Sequence, residues 1–206
     1  MKTILLTGFD PFGGEPVNPS WEAVRRVRCE GACLIRAQLP TSYRRGPERL
    51  RALMDEHHPD AVFCVGQAGG RRGVTLERVA INCMDAEIAD NDGVRWVDQP
   101  IDPQDEVAYF STLPLRRMLR ALRERGYTAS LSNTAGTFVC NRVMYEALSQ
   151  GARRTPHPLC GFLHVPYLPQ QVENKAPAPP SLPLQHMIDA LETALCALID
   201  EMEEKQ

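Results

Sequence analysis

No stretch of this 206-residue chain approaches the roughly 20 consecutive apolar residues needed to cross a bilayer. The first apolar run is only Ile4, Leu5 and Leu6, and Gly8 and Asp10 follow almost at once. Neither a signal peptide nor a membrane contact is therefore expected, and the protein reads as cytoplasmic. The sequence also lacks a CxxC pair. Its seven cysteines (Cys29, Cys33, Cys64, Cys83, Cys140, Cys160 and Cys196) are odd in number, which argues against a disulfide framework or a structural zinc site. Reduced thiols are expected, with Cys64 and Cys196 reading as small core residues because they sit in apolar runs. There is no surplus of basic charge: the net charge is -3, so nucleic acid is not an expected partner. Arg116, Arg117, Arg120, Arg123 and Arg125 cluster, but they interleave with Leu115, Met118, Leu119 and Leu122 as the solvated face of an amphipathic helix does. Finally, neither glycine-rich loop is a nucleotide motif. Gly8–Gly14 lacks the Lys-Ser/Thr of a P-loop, and Gly66–Gly73 is not GxGxxG.

What is present is an ordinary globular composition, 43% hydrophobic and 24% charged, in a chain whose length suits one domain over residues 1–206. Short apolar runs alternate with amphipathic segments. Thr3–Thr7, Leu34–Leu39, Ala61–Val65, Val74–Asn82, Ala129–Ser132 and Gly161–Val165 read as strands. Helices are expected from Asn18, a good N-cap before Pro19, to Val27, over Glu48–His57, from about Pro114 to Arg125, over Cys140–Ser149, and at the C-terminus. Gly126 suits the residue that ends a helix in the left-handed conformation. The segment Asp85–Asp105 reads as a long excursion, and Val172–Pro183, with Pro177, Pro179, Pro180 and Pro183, as an irregular loop before a docking helix. This alternation, without repeats, predicts a three-layer α/β/α sandwich around a largely parallel, twisted sheet.

Three residues stand apart chemically. Cys140 lies where the turn-like Thr134–Thr137 meets an amphipathic helix. Unpaired N–H groups and the positive end of the dipole at a helix start favour thiolate over thiol, and the same groups can hold an oxyanion. The alternative is a buried cysteine before a helix. His164 falls near the end of the apolar run Gly161–Val165, where ligands bind in open α/β sheets; a core histidine satisfied by backbone is the alternative. His57, His58, His157 and His186 sit in less distinctive settings, at helix ends or between prolines. Glu77 is a carboxylate among apolar neighbours, on the face shared with Val79 and Ile81 if the strand is continuous. It needs a partner or solvent. Arg78 is adjacent and so points to the opposite face, which leaves a distant histidine or an edge position. Phe9 and Phe12 flank Asp10 and Pro11 and suit an aromatic wall for a small flat ligand.

With these residues in view, the chain resembles the pyroglutamyl peptidase I (pyrrolidone-carboxylate peptidase) family. The matching segments are TGFDPFGGEPVNPSW (Thr7–Trp21), VGQAGGRRGVTLERVAIN (Val65–Asn82), TAGTFVCN (Thr134–Asn141) and GFLHVPYLPQQ (Gly161–Gln171). The resemblance implies a cysteine peptidase that hydrolyses the amide bond after an N-terminal pyroglutamyl residue, through a thioester and without metal or organic cofactor. It implies Cys140 as nucleophile, His164 as its base and Glu77 as the group orienting the imidazole. It further implies that Phe9 and Phe12 enclose the lactam, that Gln67 and the backbone at Phe138 and Val139 face its polar edge, and that Asn18 braces the first loop. A homo-oligomer, often a tetramer, goes with it. The chain departs from the family pattern at Glu87, where many relatives carry arginine, at Leu76, which often corresponds to proline, and over Gln104–Tyr109. Two other classes fit the same residues: an amidase for a different small acyl group, and an α/β binding protein that keeps the pocket without turnover.

Overall fold

The apolar run near the N-terminus becomes the middle of a buried strand. The structure is a computed structural model that describes residues 1–204. In it β1 (Lys2–Phe9) lies between β2 (Ala32–Leu39) and β3 (Ala61–Gln67), and both pairings are parallel. Beyond β3 come β8 (Leu159–Val165), then β4 (Val74–Glu77) and β7 (Ala129–Ser132), completing a six-stranded sheet of order β2-β1-β3-β8-β4-β7. β8 is parallel to β3, whereas β4 runs antiparallel to β8 and parallel to β7. The sheet is thus largely parallel, with its last two strands reversed. Every residue of β3 is buried, as expected of a strand covered on both faces.

Alternation along the strands sorts the core into two layers. Ile4, Leu6, Phe63, Val65, Leu76 and Leu163 pack beneath α1 (Pro19–Val24), α3 (Leu115–Glu124) and α5 (Leu184–Glu204). Leu5, Phe9, Val62, Cys64 and Phe162 face α2 (Arg45–His57) and α4 (Val139–Ala152) on the other side. Helical periodicity carries through: Leu50, Leu53 and Met54 of α2 are buried, as are Met187, Leu191, Leu195, Leu198 and Met202 of α5. Asn18 caps α1, its side chain accepting from the Ser20 N–H with Pro19 at the first helical position. Gly126 ends α3 with φ +81°. The proline-rich segment is irregular, tied by one bridge between Tyr167 and Ser181.

Three expectations are corrected. Val74–Asn82 is not one strand: it breaks at Arg78 into β4 and β5 (Val79–Ile81), and β5 pairs with β6 (Ala108–Phe110) in a separate two-stranded sheet. Arg78 is the pivot, donating its N–H to Ser132 O at 2.9 Å and accepting from Ser111 N–H at 2.9 Å. Glu77 therefore shares its face with Thr75 of β4, while Val79 and Ile81 belong to the ribbon. Cys196 is exposed, not core. Its apolar neighbours Leu195 and Ala197 are buried, but a step of about 100° around the helix turns position 196 outward. Helix α4 begins at Val139, one residue before the predicted start, so Cys140 lies inside the first turn.

Candidate active site

The antiparallel pairing of β4 with β8 sets His164 opposite Thr75 and Phe162 opposite Glu77. Residues two apart on a strand share a face, so Glu77 and His164 are diagonal neighbours on one surface of the sheet. His164 Nδ1 lies 2.7 Å from Glu77 Oε1, and the two side chains are 3% and 0% exposed. The carboxylate accepts the Nδ1 proton and leaves Nε2 as the ring nitrogen with a free lone pair. A carboxylate so deeply buried needs a countercharge. Arg71 supplies it, with Nη2 3.1 Å from the same Oε1. Its Nη1 donates to Thr75 Oγ1 at 2.8 Å and its Nη2 to Thr134 O at 3.3 Å, so one guanidinium ties β4 to the turn that precedes α4.

That turn delivers Cys140. Phe138 occupies the N-cap of α4 in an extended conformation and offers no side-chain acceptor. The first N–H groups of the helix thus face outward beside the thiol. Gly66 of β3 sits directly under the sulfur: a Cβ there would lie 2.8 Å from Cys140 Sγ and 2.7 Å from the Phe162 ring. Only a residue without a side chain lets the nucleophile's helix come this close to the sheet. Burial, then repulsion from Glu77, pushes the Cys140 thiol up to about 12. Burial holds the His164 imidazole below its ordinary value, against the raising effect of its bond to Glu77. Both shifts favour the neutral thiol and imidazole over the ion pair, with desolvation the largest cause in each.

Cys140 and His164 open onto one cavity of about 310 Å³, also lined by Phe9, Phe12, Asn18, Gln67, Phe138 and Val139. The structure thus gathers these residues around one cavity, with Glu77 joined to it through His164. Phe12 and Phe138 have ring centroids 6.0 Å apart, and Tyr43 meets Phe138 edge-on at 5.4 Å. Asn18 is engaged at both ends within its own loop: Nδ2 donates to Asp10 O at 2.9 Å, and Oδ1 accepts from the Ser20 N–H and hydroxyl. The excursion after β5 is tied to the same wall. Asn91 Nδ2 donates to Pro11 O at 2.8 Å, and Asp90 Oδ2 accepts from the Tyr43 N–H at 2.8 Å. Asn141, next to the nucleophile and fully buried, donates to Ile81 O and Cys83 O and accepts from the Ile81 N–H. Glu87 is exposed and Leu76 is buried in the sheet.

Sequence reasoning missed Arg71, Tyr43, Asn91 and Asn141. The doubled arginine in the glycine loop was the one available signal, since a guanidinium near a lone buried carboxylate is its natural counterion. Among the described residues, no group of three or more His, Cys, Asp or Glu side chains is placed to hold a metal ion. Among the described residues, no helix is long and apolar enough to cross a membrane.

A thiol beside free helix N–H groups, with an imidazole whose far nitrogen is held by a carboxylate, is the equipment of cysteine-type hydrolases. Comparison with known proteins narrows this. The pyroglutamyl peptidase family model matches residues 2–201. The pyrrolidone-carboxylate peptidase of Streptococcus suis is 46% identical over 96% of this chain and 92% of its own length. That of Bacillus subtilis is 46% identical over 94% and 90%. The crystal structure of Bacillus amyloliquefaciens pyroglutamyl peptidase I superposes with a TM-score of 0.93 at 44% identity, covering 97% of this chain and 98% of that one. A mutant pyrrolidone carboxyl peptidase from Pyrococcus furiosus gives 0.92 at 37% identity, covering 97% and 99%. The chain belongs to the pyroglutamyl peptidase family.

Proposed function

We propose that this protein is a cysteine peptidase that removes N-terminal pyroglutamyl residues from peptides, with Cys140 as nucleophile, His164 as general base and acid, and Glu77 as the orienting carboxylate. The observation that carries the reading is the 2.7 Å contact between His164 Nδ1 and Glu77 Oε1 at the floor of the cavity that Cys140 lines. Burial favours the neutral thiol and imidazole, so attack and deprotonation are coupled. His164 Nε2 takes the thiol proton as Sγ adds to the pyroglutamyl carbonyl, and the developing oxyanion falls to the N–H groups of the first turn of α4. Imidazolium then passes that proton to the leaving amine as the C–N bond breaks. A thioester remains. Water, deprotonated by Nε2, adds to it and expels Sγ, which recovers its proton from the imidazolium as free pyroglutamate leaves.

Recognition is assigned to Phe9, Phe12, Phe138 and Val139 as apolar walls and to Gln67 as a polar contact, with Asn18 bracing the loop. Such a cavity suits a compact neutral lactam and penalises the charged open chain of glutamate. A cytoplasmic location is supported by seven free cysteines. A homo-oligomer, read as a tetramer, is supported by exposed Ile88, Val97, Val107 and Phe110 on or beside the excursion, 50–83% accessible.

The test is release of a fluorogenic amine from its pyroglutamyl derivative under reducing conditions, wild type beside Cys140→Ala, with prolyl and glutaminyl derivatives as controls. Turnover of the lactam alone, lost in the variant, is expected. Equal turnover of all three derivatives would favour a broader amidase. Ligand retention without turnover in well-folded wild type would favour a binding protein.

A further inference from the structure

Gln171 is not among the residues lining the cavity, yet it is hydrogen-bonded to Gln67, which is. It ends the 3₁₀ turn Pro169–Gln171 after β8 and is 7% exposed. Two kinds of neighbour fix the direction of its amide. Its Oε1 accepts from the Leu168 N–H at 2.9 Å, and a backbone N–H can only donate. Its Nε2 lies 3.4 Å from Glu15 Oε2, a carboxylate whose other oxygen holds Lys175 Nζ at 2.9 Å. Nε2 is therefore the end that reaches 3.1 Å to Gln67, and the Gln67 atom it meets must be the acceptor, Oε1. Gln67 is 9% exposed and lines the cavity. Among the described residues no acceptor meets its Nε2, so its N–H donors are the free end.

We propose that Gln171 is a specificity-determining positioning residue: through Gln67 it fixes the cavity's polar wall as a donor, matched to the ring carbonyl of a lactam. A chain of amides running one way, from the Leu168 N–H through Gln171 and Gln67, transmits that polarity. A pyroglutamyl ring completes it with a carbonyl oxygen. A prolyl ring puts a methylene there and leaves a desolvated donor unpaired, which costs more than a poor fit. This rests on the peptidase reading above.

The test compares Gln171→Glu with Gln171→Met, using pyroglutamyl and prolyl amides of one fluorogenic amine across pH 6 to 9. Gln171→Glu keeps the acceptor for Leu168 but sets a second acceptor against Gln67, which turns that amide round and points its oxygen at the substrate carbonyl. KM for the pyroglutamyl amide should rise about tenfold or more with kcat nearly kept. The preference over the prolyl amide should fall by a similar factor. The defect should shrink toward pH 6, where protonation of the introduced carboxyl restores a donor. Gln171→Met removes the chain without reversing it, so its KM should rise less although it loses the Leu168 bond. The opposite ranking, Met worse than Glu with Tm following activity, would overturn the proposal in favour of a purely structural role. Unchanged KM in both variants would also overturn it. Failure of wild type itself to turn over the pyroglutamyl amide would instead sink the peptidase reading.

Discussion

Arg71 and His164 hold the same oxygen of Glu77, the guanidinium at 3.1 Å and the imidazole Nδ1 at 2.7 Å. One carboxylate oxygen thus meets a hydrogen-bonded imidazole and an ion-paired guanidinium, and that cation disfavours a second positive charge on the imidazole. Arg71→Met removes that cation and leaves burial alone to oppose the imidazolium that Glu77 favours. The acid limb of kcat/KM should move to higher pH, with activity at neutral pH falling about 10- to 100-fold. Arg71→Lys, which keeps the charge without the fork, should move the limb less. An unmoved limb would mean that the guanidinium only supports the fold.

For the wild type, burial of both groups predicts an asymmetric pH profile. The base must be neutral, and burial holds His164 below its ordinary value of 6.5. The rate should rise as pH increases through a midpoint below that value. The thiol is pushed up to about 12, so no thiol limb should follow between pH 7 and 9. A limb near 8.5 in kcat/KM would point instead to a preformed thiolate–imidazolium pair.

Gly66→Ala places a methyl 2.8 Å from Cys140 Sγ and 2.7 Å from the Phe162 ring. Phe162 is fully buried and cannot move aside. The expected result is a loss of about 1–3 kcal/mol in stability, with kcat falling at least about 100-fold because the sulfur is displaced from its line of attack. Denaturant melts and kcat in parallel read the two effects. Normal kcat would show that the nucleophile's helix can lift without penalty.

Asn141→Ala removes the side chain that holds Ile81 and Cys83 against the start of α4. Buried backbone groups lose their partners, at a cost of about 1–3 kcal/mol, and Tm should fall by roughly 2–4 °C for each kcal/mol. If the ribbon is what seats the excursion against the cavity, KM should rise more than kcat falls. A melt identical to wild type would argue against this anchor.

Much of the fold can be read from local pattern. β7 has the bounds expected of it, Ala129–Ser132, because Ala129 and Leu131 alternate with Ser130 and Ser132 between Gly126 and the bend at Asn133. The cap at Asn18 and the glycine after α3 are equally local. The break at Arg78 was not legible, since strand-forming residues lie on both sides of Glu77 and Arg78 and the division follows from two different pairing partners, β8 and β6. Cys196 misled because an apolar run says nothing about the facing of one residue on a helix.

The sequence by itself determined the layered α/β plan, the family, and the three chemical groups that stand out from their surroundings. Those are properties of residue type and spacing, which chain order preserves. Only the tertiary structure decided that Glu77 meets His164 across an antiparallel pair, that Arg71 closes on the same oxygen, and that Gln171 sets the polarity of Gln67. Gln67 and Gln171 are 104 residues apart in the chain, and no local rule encodes which ends of two amides face each other. Burial likewise pushes the Cys140 thiol up, because desolvation depends on everything packed around it and not on the helix turn in which it lies.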